Sequence, residues 1–275
     1  MSNLLALKNK FNTVSKLNSV MNAILIVTAA KIHKAKSRYL HTKEYLMAVE
    51  DMAAKIALQE VEEGASQLIL VIGTNKGLCG NFNDRVVSSL KKRLEQSGKK
   101  DSTAIYTVGK NLDKINRFGF KILGSNNNLL GRGGVYENIV KVAKELMDWH
   151  AANKGKVFVL FNRYKSALIQ EPAMEQILPL KSPQNRDRYI VEPSREELSP
   201  LLLQHYVEAY IYKALTESEY GEHSSRMVVV KGASDTSKEM ISTLKTQINK
   251  ERQAAITSEL SEIISSFKAL GQGGE

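Results

Sequence analysis

Residues 3–35 read NLLALKNKFNTVSKLNSVMNAILIVTAAKIHKA, and their spacing decides the fold. Leu4, Leu7, Phe11, Val14, Asn18, Met21, Leu25, Thr28, Ile32 and Ala35 recur three and four residues apart. That period puts them on one stripe of an α-helix, which a facing helix can cover. Tyr39 continues the stripe, and after Thr42 it resumes at Leu46, Val49, Ala53 and Ile56. Asn18 and Thr28 are polar interruptions that either fix register or mark where the helix meets a different partner. No Gly or Pro precedes Gly64, so nothing breaks a helix predicted from Leu4 to Glu62. At 1.5 Å per residue it would run about 90 Å.

The other end of the chain has the same character. All five prolines lie between Pro172 and Pro200. Only Gly221 and Gly232 then precede the Gly271 to Gly274 tail. Ser199-Pro200 predicts an N-cap and a first-turn proline for a helix over Leu201 to Leu270. Ile241, Leu244 and Ile248 make one seam; Ile256, Leu260, Ile263, Phe267 and Leu270 make another, offset by a break near Arg252. Gly221 and Gly232 are positions where this helix could kink.

The middle alternates between strand and helix patterns. Strands are predicted at Gln67–Ile72, Thr103–Val108, Phe118–Ile122 and Lys156–Phe161. Helices are predicted at Phe82–Gln96, Asn111–Arg117 and Tyr136–His150. The order implies an open, mainly parallel, Rossmann-like sheet covered by helices. The fold class is therefore α/β, with a long antiparallel coiled coil of N- and C-terminal helices flanking that domain. The segments are 1–63 for the N-terminal helix, 64–195 for the α/β domain and 196–275 for the C-terminal helix.

Composition narrows the function. Hydrophobic residues make up 43% and charged residues 25% of 275, which is neither a disordered chain nor a membrane span by its apolar runs. No signal-peptide pattern opens the chain. The formal net charge of +10 suits nucleic acid, anionic lipid or acidic protein surfaces. The basic residues are dispersed, without zinc-finger spacing or an aromatic-rich RNA motif, which argues against nucleic acid.

Catalytic patterns are weak throughout. Gly73-Thr74-Asn75-Lys76-Gly77-Leu78-Cys79-Gly80 follows a strand and precedes a helix, the place of a phosphate loop. It matches neither GxxxxGK[ST] nor GxGxxG, and reads as a tight connection. Gly131-Arg132-Gly133-Gly134 reads as a surface loop. Cys79, the single cysteine, has no histidine near it in sequence and reads as a small core thiol. His33, His41, His150, His205 and His223 lack metal-ligand spacing, and His223 is expected on a helix surface. No cofactor is implied.

Several stretches resemble the gamma subunit of F-type ATP synthases. These are Gly77-Leu78-Cys79-Gly80-Asn81-Phe82-Asn83, Phe161-Asn162-Arg163-Tyr164 to Leu178-Pro179-Leu180, Arg188 to Ser194, and Glu222-His223-Ser224-Ser225-Arg226-Met227. The most specific is Asn249-Lys250-Glu251-Arg252-Gln253-Ala254-Ala255-Ile256-Thr257. The resemblance covers essentially the whole chain. It departs at Ser19-Val20-Met21-Asn22-Ala23-Ile24, where the family usually carries Lys-Ile-Thr-x-Ala-Met. The resemblance implies a non-catalytic central-stalk rotor coupling ion flow to conformational cycling of catalytic beta subunits. Its implied partners are the alpha and beta subunits, the epsilon subunit and the membrane rotor ring. It implies beta-subunit contacts at Arg226, Arg252, Gln253 and Thr257; for Arg226 and Arg252 the residues alone offer a solvated helix face. It implies ring and epsilon contacts at Tyr45, Tyr189 and Glu192, and a peripheral place on the cytoplasmic face of a bacterial-type membrane. Two alternatives stay open: a divergent paralogue in a second rotary ATPase, and a nucleotide-binding α/β enzyme using the Gly73 to Gly80 loop.

Overall fold

A computed structural model of the chain describes residues 2–56, 66–130, 135–180 and 191–271. Four helices and five strands follow one another: α1 (Ser2–Ile56), β1 (Gln67–Ile72), α2 (Phe82–Ser97), β2 (Thr103–Val108), β3 (Lys121–Ser125), α3 (Val135–Asn153), β4 (Lys156–Tyr164), β5 (Gln170–Leu178) and α4 (Arg195–Gly271). Two 3-10 turns, Lys110–Phe118 and Asn127–Leu130, flank β3. The chain divides into two compact units: Met1–Val27 with Val229–Glu275, and Thr28–Val228. Both divisions fall inside the terminal helices. The expected boundary at 63/64 lies outside the described residues.

Thr28–Val228 is built on a five-stranded sheet of order β3-β2-β1-β4-β5. β1 is central and pairs parallel with β2 and β4; β2 pairs parallel with β3. Every residue of β1 and β2 is buried, as in parallel sheets covered on both faces. Alternation along the strand sends Ile69, Val71 and Ile105 to one face, where Val86, Leu90 and Leu94 of α2 meet them. Leu68, Leu70, Ile72 and Val108 face the other way, onto Ile139 and Leu146 of α3, Leu46, Val49 and Ala53 of α1, and Val207 and Ile211 of α4. The helices thus carry the seams that the sheet requires. Gly98, at φ 63°, ends α2 in the left-handed conformation that favours glycine.

Four local expectations need correction. The third strand begins at Lys121, not Phe118, because Phe118 still belongs to the 3-10 turn that Gly119 closes at φ 66°. The segment expected as a helix over Asn111–Arg117 is itself that 3-10 turn. β5 has no counterpart among the predicted strands: it pairs antiparallel with β4 alone, at the sheet edge, where Pro172 needs no second ladder partner. α4 starts at Arg195 rather than beyond Ser199-Pro200. Ser194 Oγ accepts from the Glu197 amide at 3.2 Å and does the capping, which leaves Pro200 inside the helix. α4 also passes through Gly221 and Gly232 without interruption.

In the other unit the start of α1 and residues 230–251 of α4 form an antiparallel helix pair. Asn3 Nδ2 donates to Glu251 Oε1 at 3.0 Å, and Ser234 Oγ lies 3.0 Å from both Asn18 Oδ1 and Asn22 Oδ1. Leu4, Leu7, Phe11, Val14, Asn18, Met21 and Leu25 are the turned-in positions of α1, as the 3,4 spacing predicts. Val230, Ser234, Ser237, Ile241, Leu244 and Ile248 are their counterparts on α4. The second seam is corrected: Ile256, Leu260 and Ile263 are exposed, as is the neighbouring Ile264. Asn3, in the first turn of α1, is level with Glu251, so these residues lie past the paired stretch. The side chains of Phe267 and Leu270 lie outside the described residues. By length and composition alone α1 contains a stretch apolar enough to cross a membrane. Its Asn18 and Asn22 are engaged by Ser234, and its outward Val20, Ile26 and Val27 are exposed.

Candidate functional site

The strand order reverses between β1 and β4, and open α/β sheets bind ligands in the crevice outside the strand ends at such a point. Here the crevice is filled by α4. Glu217 Oε1 accepts from the Tyr164 amide at the end of β4, at 3.1 Å. Ser225 Oγ donates to the Cys79 carbonyl at 2.8 Å. Arg226 Nε donates to the Gly77 carbonyl at 3.1 Å, and Nη2 reaches the Lys76 carbonyl at 3.4 Å. Gly221 permits the close approach: a Cβ there would lie 3.3 Å from both Gln170 Cγ and Phe82 Cε2.

The loop from Gly73 to Gly80 is therefore turned to serve α4. Its Gly73 amide donates to the Val108 carbonyl at 2.8 Å, and its Thr74 amide to Asn83 Oδ1 at 3.0 Å. Asn83 Nδ2 donates in return to Thr74 Oγ1 at 2.8 Å. Asn83 sits in the first turn of α2, where a phosphate would sit in a nucleotide-binding loop. A Cβ at Gly73 would collide with Leu112 Cγ at 2.6 Å. The loop is the tight strand-to-helix connection that its sequence suggests. Cys79 is buried, and burial together with the charge of Glu222 pushes its thiol up, away from the thiolate a nucleophile needs.

Glu222, Arg226, His223, Glu219 and Arg38 form a continuous string across α4 to α1. Arg226 pairs with Glu222 by a short contact, and its Nη1 lies 3.0 Å from His223 Nδ1. A guanidinium can only donate, so Nδ1 accepts and the ring hydrogen belongs on Nε2. Nε2 faces Glu219 Oε1 at 3.6 Å, and Arg38 Nη2 closes the string at 2.9 Å from Glu219 Oε2. Burial alone raises the Glu219 carboxyl, but the His223 hydrogen bond and the Arg38 charge together hold it below the usual glutamate range. Beside this string, Lys31, Lys34, Arg38, Asn75 and Lys76 line an open basin of about 700 Å³.

The expected site residues separate into groups. Arg252, Gln253 and Thr257 are exposed on the part of α4 past Glu251, alongside the uncovered Ile256 and Leu260. Arg226 is elsewhere: it is 7% exposed and its Nε, Nη1 and Nη2 each meet a partner inside its own chain, so it is not a solvated helix face. His223, expected on a surface, is buried in the same string. Tyr45 and Glu192 are exposed, in α1 and just before α4. Tyr189 and the Gly131 to Gly134 cluster lie outside the described residues. Sequence reasoning misses the string itself. Its signal is a charged stripe on α4, Glu219, Glu222, His223 and Arg226, at spacings that share one helix face.

Comparison with known proteins bears on this arrangement. The family model described as ATP synthase matches residues 3–270. The ATP synthase gamma chain of Burkholderia multivorans is 34% identical, covering 98% of this chain and 100% of that one. That of Geotalea uraniireducens is 29% identical over 98% and 99%. Among solved structures, a chain of the Euglena gracilis mitochondrial ATP synthase superposes with a TM-score of 0.71 at 18% identity, covering 100% of this chain and 96% of that one. A chain of the Tetrahymena thermophila mitochondrial ATP synthase central stalk and ring gives 0.60 at 20% identity, covering 78% and 99%.

Proposed function

The chain belongs to the ATP synthase gamma-chain family, and from that premise we propose that it is the central-stalk rotor of an F-type ATP synthase. The observation that carries this reading is the uncovered end of α4. Ile256, Leu260, Ile263 and Ile264 are exposed there with Arg252, Gln253 and Thr257 among them. An apolar surface of this kind on a soluble helix calls for a partner. The partners are the alpha and beta subunits of the catalytic hexamer, with Arg252, Gln253 and Thr257 contacting beta. The exposed Val20, Ile26 and Val27 of α1 extend the same surface type.

The mechanism is selection among conformations. A helix pair whose faces differ offers each beta subunit a different surface. Turning it changes which beta conformation is favoured, and with it the affinity for nucleotide. The chain acts as a non-catalytic subunit, a reading supported by the packing of α4 into the crevice at the β1–β4 reversal. Tyr45, Tyr189 and Glu192 serve contacts with the epsilon subunit and the membrane ring. The complex is the membrane-associated F1 sector, on the cytoplasmic face. Met1–Val27 with Val229–Glu275 act as the shaft and Thr28–Val228 as the body, so the expected segments 1–63, 64–195 and 196–275 divide the sequence at other points.

The test is co-purification of the tagged chain with identification of its partners by mass. Alpha, beta and epsilon subunits are the expected companions; their absence would sink the reading. In the reconstituted complex, Arg252→Glu is expected to lower ion pumping per ATP hydrolysed. Unchanged pumping would remove Arg252 from the beta contact.

A further inference from the structure

Leu78 stands in the left-handed region, at φ 62°, although it is not a glycine and the residue is 53% exposed. A side chain there meets the following carbonyl, so the conformation persists only where neighbours impose it. Leu78 is not a core residue whose own burial would hold it there. The imposing contacts lie on either side. Arg226 Nε donates to the carbonyl of Gly77, and Ser225 Oγ donates to the carbonyl of Cys79. Both donors belong to consecutive residues of α4, and they bracket Leu78. Arg226 is fixed in turn by Glu222 and His223, two residues of its own helix.

We propose that Ser225 and Arg226 are positioning residues, a clamp that holds Leu78 in its strained conformation and so presents Lys76 and Leu78 as a rigid outward surface of the rotor. This inference rests on the rotor reading for its purpose, but not for its geometry. Glu222 and His223 keep the guanidinium from turning to solvent. The same clamp ties α4 to the end of β1 through the loop, so a load on α4 reaches the sheet without slack. The role of Arg226 is thus exerted through Lys76 and Leu78.

Cys79 supplies a native reporter, because it is the only cysteine of the chain and is buried behind the clamp. In the isolated full chain, the rate of maleimide labelling at Cys79 reports the open fraction of the loop when closing outruns labelling. Arg226→Gln is expected to speed labelling roughly five- to thirtyfold, the factor corresponding to the strain released. Adding Leu78→Asn should return most of that increase, because asparagine tolerates the left-handed region. A general loosening of the fold would not be reversed by a change at an exposed loop residue. If Arg226→Gln impairs folding by thermal melting, Ser225→Ala, which removes one hydrogen bond, replaces it in the same pair of measurements. Labelling unchanged by loss of the clamp, or not slowed by Leu78→Asn, overturns the proposal. In the assembled complex, ion pumping per ATP should fall in Arg226→Gln and recover in the double variant. Coupling that ignores both changes overturns the rotor role of the loop. Failure of alpha and beta to co-purify would overturn the rotor reading, while the labelling result would still decide the clamp.

Discussion

Residues 206–226 and residues 256–266 belong to one helix, α4, yet they obey opposite rules. The first stretch is buried on nearly every side, charged residues included: Glu217, Glu222, His223 and Arg226 all find partners inside the chain. The second is exposed on every side, isoleucines and leucine included. Residue type predicts neither. Composition would put Arg226 in water and Leu260 in a core. The first stretch is completed by its own sheet, while the second is left for other chains to complete.

The largest effect should separate the two stretches by stability. Ile211→Ala empties a fully buried site and is expected to cost about 2–5 kcal/mol, read from denaturant unfolding. Leu260→Ala should stay within about 0.5 kcal/mol in the isolated chain but weaken association with the catalytic subunits. Equal losses at both sites would erase the contrast.

The two mid-helix glycines extend the contrast. Gly221→Val forces extra atoms against Phe82 and Gln170, and a loss of about 1–3 kcal/mol is expected. At Gly232 a Cβ would meet nothing within 4 Å, so Gly232→Ala should gain up to about 1 kcal/mol from helix propensity. Thermal melting of the pair should move in opposite directions.

A smaller effect concerns acid. The folded Glu219 carboxyl lies below its unfolded value, so its contribution is present at neutral pH and is lost as pH falls through the folded value. Acidification below the ordinary glutamate value of about 4.3 should therefore destabilise the wild type more steeply than Glu219→Gln. Parallel pH–stability curves would count against a paired Glu219. The smallest effect belongs to the helix pair. Ser234→Ala removes the hydroxyl shared by Asn18 and Asn22, and about 0.5–1.5 kcal/mol is expected in thermal melts.

Much of this architecture is legible in the residues. The 3,4 seam from Leu4 to Ile56 is inward-facing at each of its positions, because a helix period survives any tertiary context that covers one stripe. β1, β2, α2, α3 and β4 are legible because buried parallel strands and amphipathic helices carry strong local patterns. β5 is not, because an edge strand with Pro172 and polar residues lacks either pattern. The candidate site divides the same way. Arg252, Gln253 and Thr257 stand out by resemblance, and the structure leaves them exposed together. Arg226 is legible as a residue but not in its task.

Two seamed helices, the doubly wound character of the middle and the lack of a phosphate-loop pattern all follow from the amino-acid sequence alone. These are local properties, set by period, by turn chemistry and by the identity of a few residues. Three features are settled by tertiary packing instead: α4 fills the crevice at the β1–β4 reversal, Arg226 and His223 are buried, and Ile256 to Ile264 are not. Burial depends on what lies across the gap, and no stretch of α4 encodes the position of the sheet or the extent of its pairing with α1.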